Sequence, residues 1–132
     1  MLKYLTALVA VVLFAALPAR AEVTYGPDYG KDRAEIEDLM ARYLFAIDYH
    51  DWDAYVATFA EDGEITFASG SFKGREVIRE AVTRFAEGIG RFYHTEDGQP
   101  AKLRHIVLQT VIRVEGDRAW GRSQWLEMAN HG

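Results

Sequence analysis

From Asp32 onward, apolar residues recur every three or four positions. Ile36, Leu39, Met40, Tyr43, Leu44 and Ile47 form one series, with Glu35, Asp38 and Arg42 between them. That spacing lays a single apolar stripe along a helix and predicts an amphipathic first helix ending near Asp48. Asp32 is placed to cap it, and Glu35 three residues later completes a capping-box-like pair. A shorter series, Trp52, Tyr55, Val56 and Phe59, predicts a second helix over 52–59. The period then changes. "AEDGEITFASGSFKG" predicts a turn at Asp62-Gly63, a short strand over 65–68 and a glycine-bounded loop. "REVIREAVTRFAEG" returns to helical spacing, with Val77, Ile78, Ala81, Val82 and Phe85 on one face and Gly88 as the expected C-cap.

The strongest strand signal lies near the end. "KLRHIVLQTVIRVEGDRAWGRSQWLEM" reads as two long strands joined at Gly116-Asp117, a pair suited to a two-residue hairpin loop. An unbulged hairpin around that loop pairs Gln109 with Gln124, Val107 with Leu126 and His105 with Met128. Side chains alternate across a sheet, so His105, Val107, Gln109, Val111, Leu126 and Met128 are expected on one surface. Ile106, Leu108, Ile112, Val114, Ala119 and Trp125 are expected on the other. The second set is a plain hydrophobic layer. The first is apolar with a few polar groups set into it, the mixture of a ligand pocket. Helices gathered before antiparallel strands predict an α+β domain in which helices cover one face of a curved sheet.

Composition narrows the functional classes. "MLKYLTALVAVVLFAALPARA" has a positive Lys3, an apolar core, Pro18, and small residues flanking Arg20, the layout of a secretory signal peptide cut before Glu22. Its apolar core is shorter than the roughly 20 residues that span a bilayer. The expected organisation is a signal over 1–21, an irregular arm over 22–31 and one domain over 32–132, with the mature protein exported to the periplasm or beyond. Removing 21 of 132 residues leaves 111, and the loss of Lys3 and Arg20 leaves 13 basic side chains against 20 acidic ones. An acidic domain of this kind argues against nucleic acid or a membrane surface as a partner. The absence of cysteine removes disulfide support, thiol catalysis and cysteine metal sites together.

The segment "IDYHDWDAY" concentrates the candidate chemistry. Asp51 is placed to cap the second helix, and Asp53 in its first turn opposes the positive end of the helix dipole. His50 lies in the break between helices and needs no function. Asp48 has no such local task. It follows Leu44 by four and Met40 by eight, at the border of the apolar stripe. His105 is its counterpart, a histidine interrupting a valine-lined strand. A helix packed on the sheet would bring Asp48 against His105, where the carboxylate orients the imidazole and favours its charged form, making it a competent proton acceptor. Asp48, His50, Asp51, His94 and His105 could also supply metal ligands. No H-x-x-x-H or H-E-x-x-H spacing is present, so no metal is expected. A serine nucleophile and a phosphate-binding loop lack their motifs as well.

"LMARYLFAIDYHDWDAYVATFAEDGEITF", "KGREVIREAV", "LRHIVLQTVIRVEGDRAWG" and "SQWLEM" together resemble the SnoaL-like branch of the nuclear transport factor 2-like superfamily. The resemblance covers about Asp32 to Met128. It implies a cone-shaped α+β domain whose curved sheet wraps a deep pocket closed by helices. Relatives of this kind include scytalone dehydratase, ketosteroid isomerase, polyketide cyclases and epoxide hydrolases, beside many non-catalytic members. The resemblance matches Asp48 and His105 to the aspartate–histidine dyad of the dehydratases, and Tyr43 to the tyrosine that donates to the enolate oxygen in the isomerase. Two positions depart from it. Ile47 stands where the dehydratases have a tyrosine, and Phe67 where they have another and the isomerase has its base. Family domains also continue into at least one further long strand, so the final strand or strands are expected to be missing from this chain.

The functional expectation is an exported lyase or isomerase, without a cofactor, that moves a proton on an apolar carbonyl or hydroxylated ring substrate. Asp48, His105 and Tyr43 are the expected catalytic residues; Phe67, Val107, Gln109, Gln124 and Leu126 are the expected substrate contacts. The partner is a small hydrophobic or aromatic molecule. The alternative is a non-catalytic hydrophobic-ligand or dimerisation module of the same fold, and the fold allows a homodimer.

Overall fold

The element order follows the periodicity: α1 (Tyr29–Asp48), α2 (Trp52–Ala57), β1 (Glu64–Phe67), β2 (Gly70–Lys73), α3 (Arg75–Phe92), β3 (Lys102–Glu115) and β4 (Arg118–Asn130). The computed structural model describes residues 25–100 and 102–130; the signal expected over 1–21 lies outside them. Strands pair antiparallel as two hairpins, β1 with β2 and β3 with β4, which makes the class α+β. Among the described residues no helix is long and apolar enough to cross a membrane.

Helix α1 begins at Tyr29, three residues before the expected cap, and takes the end of the expected arm into the helix. Its N-cap residue, Asp28, makes no side-chain capping bond, and Asp32 sits in the first turn, where a carboxylate favours the helix dipole. The extension has a tertiary cause. The Tyr29 ring packs on Tyr25 at 4.2 Å, and its hydroxyl donates to the Ile112 carbonyl at 3.1 Å. The other end of α1 meets β3 near His105, so the helix runs antiparallel to β3 and is tied to it at both ends. The lengths are comparable, with 19 helical steps from Tyr29 to Asp48 rising about 28 Å and seven strand steps from Ile112 to His105 spanning about 23 Å.

The break after α1 is built from the acidic segment. The amide of His50 donates to Ile47 O at 3.2 Å and that of Asp51 to Ala46 O at 2.9 Å, the paired bonds of a Schellman stop. His50 occupies the left-handed position of that motif with φ 57°, where glycine is usual. Asp51 then caps α2 as expected, accepting from the Ala54 amide at 3.0 Å. One residue closes one helix and the next opens the other.

Two further elements differ from expectation. The loop after β1 is itself a strand, pairing Ile65 with Phe72 and Phe67 with Gly70. Helix α3 runs through Gly88 to Phe92, because glycine permits a stop without imposing one and no left-handed residue appears there. The core lies where α1, α2, α3 and the β1–β2 hairpin meet. Ala46, Tyr55, Val56, Ile78 and Val82 are buried there, with Tyr43, Ile47, Trp52, Phe59, Ile65 and Phe72 packed around them. Arg75 fastens α3 to this layer by donating twice to the Phe59 carbonyl, at 2.9 and 2.6 Å.

The β3–β4 hairpin turns at Gly116 and Asp117, with φ 61° at Gly116, where a side chain would be strained. From the loop outward the pairing follows the expected register as far as Gln109 with Gln124. A bulge then intervenes between Val107 and Gln109. Beyond it His105 opposes Glu127 and Val107 opposes Trp125, in place of Met128 and Leu126. An extra residue reverses the alternation of everything past it. The expected surfaces are therefore corrected: Trp125 and Glu127 share the face of His105 and Val107, and Leu126 and Met128 lie on the opposite one.

Ile78 has no exposed surface and truncating it leaves a cavity, whereas Asp51 contributes one exposed cap. Ile78→Ala should lower unfolding free energy by about 2–5 kcal/mol and Asp51→Ala by about 1 kcal/mol, both read from urea denaturation. Equal losses would contradict the placement of the core.

Candidate functional site

Asp48 is the last residue of α1, at the negative end of the helix dipole and with no basic residue in the last turn. Local electrostatics oppose a carboxylate there. Strand β3 supplies what the helix lacks. Asp48 Oδ1 lies 2.5 Å from Nδ1 of His105, and Asp48 Oδ2 accepts the His105 backbone amide at 3.0 Å. Arg104, the preceding residue, donates to the Asp48 carbonyl at 2.9 Å and places its guanidinium 4.6 Å from the centre of the Tyr49 ring. The two side chains are nearly closed to solvent, 8% exposed for Asp48 and 11% for His105. A carboxylate acceptor on Nδ1 leaves Nε2 as the ring's outward nitrogen.

Nε2 lies 3.4 Å from Oε2 of Glu127 on β4, longer than a formed hydrogen bond. The Trp125 ring sits 5.0 Å from the imidazole. Neither residue is among those expected from the sequence, because the unbulged register turns Trp125 to the other face and pairs His105 with Met128. The signal that could have found them is the spacing of Trp125 and Glu127 themselves, an aromatic and an acid two residues apart on an apolar strand.

Two cavities meet at His105 on either side of the Met40–Leu44 ridge of α1. The larger, about 500 Å³, lies inside the helices and is lined by Tyr43, Ile47, Tyr55, Phe59, Phe67, Phe85, Val107, Trp125 and Glu127 among others. The smaller, about 340 Å³, lies on the Asp48 side, with Glu37, Phe45 and Thr110 in its wall. Among the expected substrate contacts, Phe67 and Val107 line the larger cavity. Gln109, Gln124 and Leu126 do not reach either; they are exposed on the far face of the hairpin, and the bulge at Leu108 is the reason.

Tyr43 is also in the wall of the larger cavity. The Tyr55 hydroxyl donates to it at 3.0 Å, which leaves the Tyr43 proton free for an acceptor in the cavity. His50 stacks on Trp52 at 5.1 Å, and His94 forms an isolated bridge with Pro100; neither joins the site. Among the described residues no group of three His, Asp or Glu side chains is arranged to hold a metal ion.

Burial, and after it the bond to Tyr43, pushes the Tyr55 phenol above the usual tyrosine range. The folded protein thus favours the neutral phenol more than the unfolded chain does. The stability this gives is complete below the unfolded value of about 10 and is lost as pH rises past it. Tyr55→Phe should be less stable near neutrality by about 1 kcal/mol. It should then lose less stability than the unsubstituted protein between about pH 9 and 11, followed by urea midpoints. A parallel decline in both would assign the alkaline loss to other groups.

A comparison with curated proteins gives no match. Solved structures do match. A protein of unknown function with a cystatin-like fold from Nostoc punctiforme is 27% identical, with a TM-score of 0.63 over 75% of this chain and 67% of its own. An NTF2-like protein with a cystatin-like fold from Novosphingobium aromaticivorans is 28% identical, with a TM-score of 0.55 over 75% of this chain and 60% of its own. ActVI-ORFA from Streptomyces coelicolor, at 22% identity and a TM-score of 0.56, covers 72% of this chain and 66% of its own, and shares the fold. The chain thus spans about two thirds or less of these neighbours' length. The model of the SnoaL-like domain matches residues 29–132. With helices over an antiparallel hairpin and a cavity between them, the chain belongs to the SnoaL-like domain family.

Proposed function

We propose that the protein is an enzyme of the dehydratase, isomerase or cyclase type that moves a proton on a small apolar ring substrate bearing a carbonyl or hydroxyl group. His105 is the base and Asp48 the residue that positions it. The observation that carries this reading is the 2.5 Å contact between Asp48 Oδ1 and His105 Nδ1 at the wall of an apolar cavity. The carboxylate holds the imidazole in one orientation and assigns its proton to Nδ1, so that Nε2 can accept a proton from a substrate carbon. Charge then develops on the substrate carbonyl oxygen, and Tyr43 supplies an O–H to receive it. The aromatic lining of the larger cavity suits a flat, mostly apolar ligand. No step in this scheme requires a cofactor.

The test follows the abstracted proton. The purified protein is incubated with cyclohexanone or 1-tetralone in D2O, and loss of the hydrogens next to the carbonyl is followed by proton NMR. Exchange above the buffer rate is expected, falling by about 100-fold or more in His105→Gln, with a substantial loss in Asp48→Asn. If both variants exchange as fast as the parent protein, the dyad is not the base. A thermal shift with 1-tetralone in the absence of any exchange would favour the binding-module reading instead.

We also read residues 1–21 as an export signal, on the layout of its charge, apolar core and small residues. When the full chain is expressed in a bacterium, the intact mass of the protein in the periplasmic or culture fraction should place the N-terminus at Glu22. An uncleaved protein retained in the cytoplasm would refute export.

A further inference from the structure

A base that takes a proton from carbon has to release it before the next cycle. Asp48 is poorly placed to carry that proton away. One of its oxygens accepts the His105 amide, the other faces the ring, and its side chain is 8% exposed. His105 itself is 11% exposed, so solvent has little direct access to the ring. On the Nε2 side the situation differs. Glu127 Oε2 is 3.4 Å from that nitrogen, and the Glu127 side chain is 38% exposed. Among the described residues no other hydrogen bond or ion pair holds the Glu127 carboxylate. Of the hydroxyls nearby, Thr110 and Ser123 bond each other at 3.1 Å and Tyr55 donates to Tyr43 at 3.0 Å, while the Tyr43 proton is the one proposed to serve the substrate oxygen.

Resting on the proposed role of His105 as base, we propose that Glu127 is the proton exit of the site. The substrate C–H bond breaks as the Nε2–H bond forms, and the electron pair stays on the substrate as an enolate. The Nε2–H bond then breaks as an O–H bond forms on Glu127 Oε2. That carboxylic acid, unlike the ring, reaches water and exchanges there. Run in reverse, the same path returns a solvent proton to the substrate. A carbonyl substrate that is isomerised therefore acquires a hydrogen from water instead of regaining its own. The 3.4 Å gap suits this role, since a carboxylate bonded firmly to Nε2 would block the substrate, and one much farther away could not take the proton.

The experiment uses 3-cyclohexenone, whose double bond moves into conjugation when a proton shifts between carbons. The full-length protein converts it in D2O, and mass spectrometry reads the share of conjugated product that carries deuterium over the first turnovers. Most product should be labelled by the parent protein. In Glu127→Gln the labelled share should fall at least threefold, because the proton trapped on Nε2 returns to the same molecule. Glu127→Asp, which keeps a carboxylate, should lie between the two. Equal labelling by all three proteins overturns the proton exit and leaves His105 as the base. If the parent protein does not isomerise the ketone, or His105→Gln isomerises it equally fast, the base reading fails and the exit with it.

Discussion

A carboxylate at the carboxyl end of a helix is in the wrong field, and the arrangement of this protein follows from how Asp48 is compensated. Helix α1 ends with three consecutive constraints. Asp48 needs donors, His50 must adopt a left-handed conformation, and Asp51 must open the next helix. Strand β3 answers the first with a backbone amide and an imidazole from one residue, His105, while Arg104 answers the exposed carbonyl. The amide ties the carboxylate to the strand backbone, so the ring contact does not depend on side-chain freedom alone. Breaking one partner would leave the other nearly closed off from water without a match, which costs more than the bond itself contributes.

The second anchor of α1 is as far from the first as the helix allows. Tyr29 holds one end of α1 to Ile112, and Asp48 holds the other to His105. A helix fixed at both ends to one strand acts as a strut, and the space on either side of it is kept open because the strut cannot settle into it. The aromatic layer of Tyr43, Tyr55 and Phe59 lines one side with its rings 4.8 to 5.9 Å apart. Packing of this kind fixes the Tyr43 hydroxyl through Tyr55, whose own position is set by complete burial.

Much of this was legible in the residues. The period of three and four identified all three helices, and the Gly116-Asp117 pair located the hairpin. Asp51 declared itself as a cap. Asp48 stood out because no helix-level task explained it, and His105 because it interrupted an apolar strand; the fold brings these two together. What could not be read was register. A bulge adds one residue without a distinctive signature, since Leu108 resembles its neighbours, and its effect falls on every side chain beyond it. An unbulged pattern therefore places Gln109, Gln124 and Leu126 on a face they do not occupy, and leaves Trp125 and Glu127 away from the face they do occupy. The early start of α1 was hidden for a related reason: it depends on the Tyr29–Ile112 bond, between residues 83 positions apart.

The bulge also divides β3 into two halves that answer to different demands. From Gln109 to Glu115 the strand serves the turn and the Ile112 anchor; from Lys102 to Val107 it carries the histidine. What joins them is parity: an odd number of strand steps separates His105 from Ile112, where a plain strand with both facing inward would have needed one step fewer. Removing Leu108 would leave that plain strand, with His105 and Ile112 still facing inward, whereas keeping every residue and closing the bulge would turn His105 to the outside. What the site depends on is the match between residue count and bulge, so a single-codon deletion that takes both away together would be milder than a change that removes only one of them.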